Sequence, residues 1–402
     1  MIRKESSQGI GYSVVELGEV CHVFASAIPR CDGSLEEQTH DALRIIAEVI
    51  DDKGAAGTIV KQAVFIDDAE KIPVCREIIN KFYGDQIPAT TYIPQSPCAG
   101  KHLAIEALGV GRGKDDVRIE RHSESLVVTS HDNVSWIHCG HVFPKTPAAS
   151  VYDRSKKAFE QMQASLDAVG VKFDQIVRTW LYLGDIVGPE KETQRYKELN
   201  RARTDFFKPF HFGNSHASAA APGDIYPAST GIGIDGRDLL MSCVALATER
   251  DDVSLTPLEN PQQVAAFDYA PVYSPESPKF ARAMAVRIGQ SDTVLVSGTA
   301  SITDSESRFI DDVQGQTNQT LDNIAALISP ENFQRHSLPG GGQTLDDLAI
   351  ARVYIKRRED YDLVKAICEA RLGELPTIYA VADVCRPELL VEIEGIAFSR
   401  VR

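Results

Sequence analysis

Residues 379–397 read YAVADVCRPELLVEIEGIA. Two runs of strand character, the first from Tyr379 and the second from Leu389, flank a Cys385-Arg386-Pro387-Glu388 segment with the composition of a turn. The stretch reads as a strand pair. Leu389, Leu390, Val391 and Ile393 surround Glu392, so a strand sets this carboxylate on or beside a buried face. Burial disfavours the charged form of a carboxyl group and raises its pKa. An acid that keeps its proton near neutral pH is a ready proton donor. The competing reading is a solvated carboxylate at a strand end, since Glu is rarely fully buried.

Working outward, the order of elements that leads into this ending occurs three times. In the first copy, short strands over Tyr12–Leu17 and Val20–Ala25 precede a helix from about Leu35, with Ala42, Leu43, Ile46, Val49 and Ile50 on one face. An alternating strand Ile59–Ile66, a second helix and a strand His102–Leu108 follow. The second copy has a strand from Val134, a helix bearing Phe159, Met162 and Leu166, the strand Ile176–Leu183, a helix over about 192–207 and the strand Leu239–Ala245. The third has Thr293–Ala300, a helix marked by Val313, Leu321 and Ile328, the strand Leu348–Ile355 and a helix near 362–372. Each copy is a ββαβαβ unit, and the expected fold class is α+β. The units should occupy 1–110, 111–256 and 257–402, the last beginning with a proline-rich crossing, Pro257–Pro278. A sheet with helices on one face leaves the other bare, so the units should pack as an intrachain pseudo-trimer with ligand sites at its seams. The glycine runs Gly109–Gly113 and Leu338–Gln343 lack the Lys-Ser/Thr of a phosphate loop and read as turns.

A net charge of -15 without a basic stripe argues against nucleic-acid and anionic-membrane partners. An anionic ligand would need local arginines. The eight cysteines show no CxxC pair and no zinc-type spacing, which favours free thiols in a reducing cytoplasm. His138, His141, His211 and His216 form no helical metal pair, and no metal site is expected. Neither an apolar signal core nor an apolar run of about 18 residues is present, so secretion and membrane insertion are not expected.

The element order and the ending Val391–Ala397 resemble the RidA/YjgF family of small trimeric proteins, whose matching glutamate lies in an inter-subunit cleft; Glu392 holds that position. That family pairs the acid with an arginine where this chain has Pro376, Thr377 and Ile378, which counts against imine deamination. A larger set of motifs resembles the chorismatase family: RYKELNRAR at 195–203, ENPQQV at 259–264, YSPESPKFARA at 273–283, LVSGTAS at 295–301 and DVCRPELLVEI at 383–393. Residues 1–110 depart from the family pattern in forming a fuller first unit.

That resemblance implies release of pyruvate from chorismate, a small dianionic substrate, without metal or organic cofactor. It implies the hydroxybenzoate-forming branch through Gly298 and Cys385, with the 3-isomer as product. Glu392 would protonate the enol ether and Cys385 would guide an intermediate, although most free cysteines are merely buried. Tyr196 and Arg203 are seven apart on a helix and share a face, where they could clamp one end of a dianion; otherwise they are a packed Tyr and a solvated Arg. Tyr273 and Arg282 could serve the other end or anchor the crossing. Gly298 marks either a close approach or a β-bulge. The positions matching Glu392 in the other units are taken as Ala104 and Ser242, so one pocket is expected, at the seam with the middle unit. Rival readings are a RidA-like deaminase or lyase on another small acid and a non-catalytic ligand-binding protein. The chain is expected to be a monomer or weak homo-oligomer.

Overall fold

The computed structural model describes residues 2–7, 9–17, 20–52, 57–111, 117–144, 150–213, 216–217, 225–270 and 276–401. Three six-stranded sheets follow one another along the chain. The first contains β1 (Ile2–Ser7), β2 (Ile10–Leu17), β3 (Val20–Ala27), β4 (Thr58–Ile66), β5 (Ala89–Pro94) and β6 (Leu103–Gly111), in the order β1-β2-β3-β6-β4-β5. The second contains β7 (Arg118–Ser123), β8 (Leu126–His131), β9 (Val134–Val142), β10 (Ile176–Gly184), β11 (Ala228–Ile234) and β12 (Leu239–Thr248), ordered β7-β8-β9-β12-β10-β11. The third contains β13 (Val253–Leu258), β14 (Ala283–Ile288), β15 (Ser291–Ala300), β16 (Leu348–Ile355), β17 (Thr377–Val381) and β18 (Val391–Arg400), ordered β13-β14-β15-β18-β16-β17. The order is the same in all three, as the sequence repeat predicts.

Each sheet carries two main helices: α1 (Leu35–Asp52) and α2 (Ile72–Tyr83), α3 (Val151–Asp167) and α4 (Arg195–Phe207), α5 (Val313–Ile328) and α6 (Tyr361–Leu372). Their ends follow local chemistry. The Ser150 hydroxyl accepts the Asp153 N–H at the start of α3, and Asp312 accepts the Gly315 N–H at the start of α5. Gly373, at φ 63°, stops α6 in a conformation that a β-carbon disfavours.

Helices and sheet enclose a separate apolar cluster in each unit, while the opposite sheet faces share one cluster that draws Phe65, Trp180, Tyr182, Leu295 and Tyr354 from all three. The bare faces thus cover one another around a pseudo-threefold axis. Inter-unit hydrogen bonds mark the seams: Ser13 to the Ala349 carbonyl, Gln95 to the Gly233 carbonyl, and the Ser229 N–H to the Ser297 hydroxyl.

Several expectations are corrected. β17 and β18 share a sheet but are not partners, because β16 lies between them, parallel to β17 and antiparallel to β18. Each unit also has more strands than ββαβαβ, with β1, β7 and β13 at the sheet edges. Edge strands such as IRKESS and RIERHS carry polar residues and no apolar alternation, so periodicity does not reveal them. β13 crosses the expected boundary at 257. Gly109–Gly111 belong to β6 rather than to a turn; residues 112–116 lie outside the described residues. Among the described residues, no helix is long and apolar enough to cross a membrane.

The registers fix which positions correspond. Ala104 lies opposite Phe65, Leu240 opposite Tyr182 and Glu392 opposite Tyr354. The middle-unit counterpart of Glu392 is therefore Leu240; Ser242 corresponds instead to Glu106 and Glu394.

Candidate active site

Glu392 on β18 opens into a cavity of about 90 Å³ at the seam between the second and third sheets. Tyr196, Arg203, Ser229 and Gly231 line one wall, and Arg282, Gly298 and Cys385 line the other. The loop between β17 and β18 supplies Cys385 and α4 supplies Tyr196 and Arg203. Tyr273 lies outside the described residues.

The Glu392 side chain is 4% exposed and makes no hydrogen bond or ion pair with the described residues. Burial, reinforced by the charge of Glu394, pushes its pKa up to about 8 against the opposing pull of Arg178 and Arg282. It is mostly protonated at neutral pH. Burial and the neighbouring Glu392 likewise push the Cys385 thiol up to about 12, so it stands as a thiol rather than a thiolate. Burial also raises the Tyr196 phenol, which remains neutral.

Glu394, two residues on and so on the same face of β18, is held in a buried hydrogen-bonded cluster. It accepts Arg178 at 2.6 Å and Trp180 Nε1 at 2.8 Å, and Arg352 lies 3.2 Å away. The Thr230 hydroxyl donates to Glu394 while accepting the Gly298 N–H at 2.9 Å. One hydroxyl thus links the Glu394 carboxylate of β18 to the Gly298 backbone of β15. Sequence reasoning placed Arg178 inside a strand without recognising its role; a charged residue in the otherwise apolar run IVRTWLYL was the available signal.

Arg203 and Arg282 are 1% and 3% exposed, and neither has a carboxylate within ion-pair distance among the described residues. Arg203 bonds Asn200 at 2.6 Å and reaches the Ser229 hydroxyl at 3.5 Å. Arg282 donates to Tyr269 and to the Val264 carbonyl. Both guanidinium groups lie over the Phe280 ring, at 5.6 and 5.5 Å, and both Nε atoms are buried without a partner. The Arg282 backbone N–H donates to the Glu259 carboxylate at 3.3 Å, but neither guanidinium has an ion-pair contact among the described residues, and buried cations so placed are costly unless an anion joins them.

Two glycines make the room. A β-carbon on Gly231 would lie 2.8 Å from the Tyr196 ring, and one on Gly298 would overlap the Glu392 carboxylate. Gly298 also falls in a bulge, where the β15–β18 register shifts between Val296 and Thr299, so the two readings of this glycine are one feature. In the strand register Gly231 corresponds to Tyr92 and Tyr379, and Gly298 to His141. At the seam of the first and second sheets the Tyr92 and His141 rings pack 5.5 Å apart. There the space is filled.

A family model described as chorismatase FkbO/Hyg5-like, N-terminal, matches residues 114–247. A 3-hydroxybenzoate synthase of Streptomyces hygroscopicus is 31% identical over 287 residues, 70% of this chain and 79% of that protein. A chorismatase of Streptomyces rapamycinicus is 32% identical over 276 residues, covering 66% and 78% respectively. The chain belongs to the chorismatase family. A chorismatase crystal structure shares the fold, with a TM-score of 0.64 at 22% identity over 85% of this chain and 93% of that one. The chorismatase family model begins at residue 114, so the first sheet lies outside it.

Proposed function

We propose that this protein converts chorismate to 3-hydroxybenzoate and pyruvate at the seam pocket. One observation carries the reading: two buried guanidinium groups with no carboxylate in ion-pair contact among the described residues line one cavity with a buried, unbonded acid. Chorismate presents two carboxylates to the first pair and an enol ether to the acid. Arg203, with Tyr196, takes one carboxylate and Arg282 the other.

Glu392 delivers its proton to the terminal methylene carbon of the enol ether, leaving an oxocarbenium centre. The substrate's own hydroxyl attacks the neighbouring ring carbon that bears the enol-ether oxygen. That carbon–oxygen bond breaks with its electrons completing the carbonyl of the departing pyruvate, and the hydroxyl proton passes back to Glu392. The three-membered ring ether opens by taking up a proton on oxygen as the ring loses one on becoming aromatic. Atoms balance between chorismate and the two products, so no oxidant, reductant or water is consumed. The Cys385 thiol stands beside the reacting ring to guide opening of the strained intermediate. The 3-isomer is supported by the relative named 3-hydroxybenzoate synthase together with Cys385 and Gly298. Since one chain supplies every seam, a monomer is sufficient for this chemistry.

Incubation of the purified protein with chorismate, followed by chromatography and a pyruvate assay, tests the proposal. Equimolar pyruvate and 3-hydroxybenzoate are expected; absence of both overturns it. Ammonia release from imine substrates would instead favour a RidA-like deaminase.

A further inference from the structure

A second cavity, about 400 Å³, lies on the pseudo-threefold axis, separate from the seam pocket. Its lining includes Asp132 and Gln290 from hairpin turns and Arg400 from the end of β18, with walls from all three sheets. This volume falls within the range of about 300–1,000 Å³ usual for ligand pockets. The walls are apolar and aromatic: Phe24, Trp136, Trp180, Val244, Ile396 and Phe398.

Polar groups without partners interrupt this surface. His22 and His138 are 7% and 4% exposed, and neither ring makes a hydrogen bond with the described residues. Burial pushes both pKa values down to about 3, so the imidazoles are neutral donors and acceptors. Lys61 reaches the cavity from β4, its ammonium 4.2 Å from the centre of the Trp180 ring, with no hydrogen bond or ion pair among the described residues.

Charge decides what would bind. At the floor, Lys61 adjoins the buried cluster of Arg178, Arg352, Glu106 and Glu394. Arg352 pairs Glu106 at 2.6 Å, and Arg178 pairs Glu394 at 2.6 Å. Both carboxylates are taken by guanidinium groups. Lys61 is therefore a third cation beside two anions, leaving one uncompensated positive charge beneath aromatic walls.

We propose that the axial cavity binds a small aromatic monocarboxylate, its carboxylate on the Lys61 ammonium and its ring against Trp136 and Trp180. His22 and His138 supply the flanking hydrogen-bonding groups. The site is independent of the reading given to the seam pocket.

Trp136 and Trp180 are the two tryptophans of the chain, so their emission reports on this cavity. The full chain is titrated with benzoate and with its neutral analogue benzyl alcohol, and equilibrium dialysis of labelled benzoate gives the stoichiometry. Saturable quenching at one benzoate per chain is expected, with benzyl alcohol weaker by about tenfold or more. Lys61→Met should weaken benzoate by about tenfold or more while chorismate turnover persists. Arg203→Met, which disables the seam pocket, should leave benzoate binding intact. Should Lys61→Met fail to fold, Leu108→Phe fills the cavity without altering its charge and is expected to abolish binding. Equal affinity for acid and alcohol, undiminished binding by either cavity variant, loss of binding in Arg203→Met, or no saturable binding at millimolar benzoate overturns the proposal.

Discussion

The carboxylate of Glu392 occupies the space that a side chain at Gly298 would need. The bulge in β15 turns a backbone toward β18, and the missing β-carbon leaves the acid its place at the seam. Gly298→Ala should displace Glu392 while leaving the apolar clusters untouched. Activity toward chorismate is expected to fall by about 10²-fold or more, with an unchanged near-ultraviolet circular dichroism spectrum. Full activity would mean that the acid has no fixed position.

Replacing the acid separates catalysis from stability. Glu392→Gln should lower kcat by about 10²–10⁴-fold, the usual contribution of a proton donor, with a small change in KM. The same variant should be more stable than the wild type at pH 8. The folded pKa, about 8, lies above the ordinary value near 4.5, so the stability linked to proton binding is complete below 4.5 and is lost as pH rises toward 8. Gln has no such loss. A gain of about 3–5 kcal/mol at pH 8, shrinking toward pH 4.5, should appear in urea unfolding.

The pH profile of the wild type follows from the same shift. Activity that requires protonated Glu392 is present below the folded pKa and declines as pH rises through about 8. A kcat/KM that instead rose through this range would assign Glu392 the role of a base.

Cys385 is a neutral thiol, held so by burial and the adjacent acid. Cys385→Ala should alter the ratio of aromatic products more than the rate of chorismate loss. Chromatography of the product mixture checks this; an unchanged mixture with a proportional loss of rate would assign the thiol to packing.

The three-fold repeat was legible because the buried strands Ile176–Leu183 and Leu348–Ile355 are nearly continuous apolar runs and Ile59–Ile66 an alternating one, all bounded by helical periodicity. The edge strands were not, since their polar faces meet solvent. Glu392 stood out as a carboxylate in an apolar strand. Of its surroundings, Tyr196, Arg203, Arg282, Gly298 and Cys385 were named through the family motifs, whereas Thr230, Ser229 and Gly231 come from another sheet and carry no local signal. One pocket was expected from the single acid. The structure corrects this: tyrosine occupies the counterparts of Gly231 in the other two units, yet a cavity of about 550 Å³, lined by Gly11, Ser26 and Tyr379, lies at the seam of the first and third sheets, so what is single is the pocket with a carboxylate at the Glu392 position. The mismatch at Ser242 arose because strand spacing alone left the register two residues out, a shift that keeps a side chain on the same face.

The central claim is that Glu392 protonates the methylene carbon of an enol ether, and the fate of that proton can be read directly. The protein, equilibrated in D₂O, is given chorismate, and the pyruvate methyl group is analysed by NMR before exchange with solvent. One deuterium per methyl group is predicted, because the exchangeable Glu392 proton is the one delivered; pyruvate formed with three protons on that carbon would show transfer from the substrate ring and contradict the account.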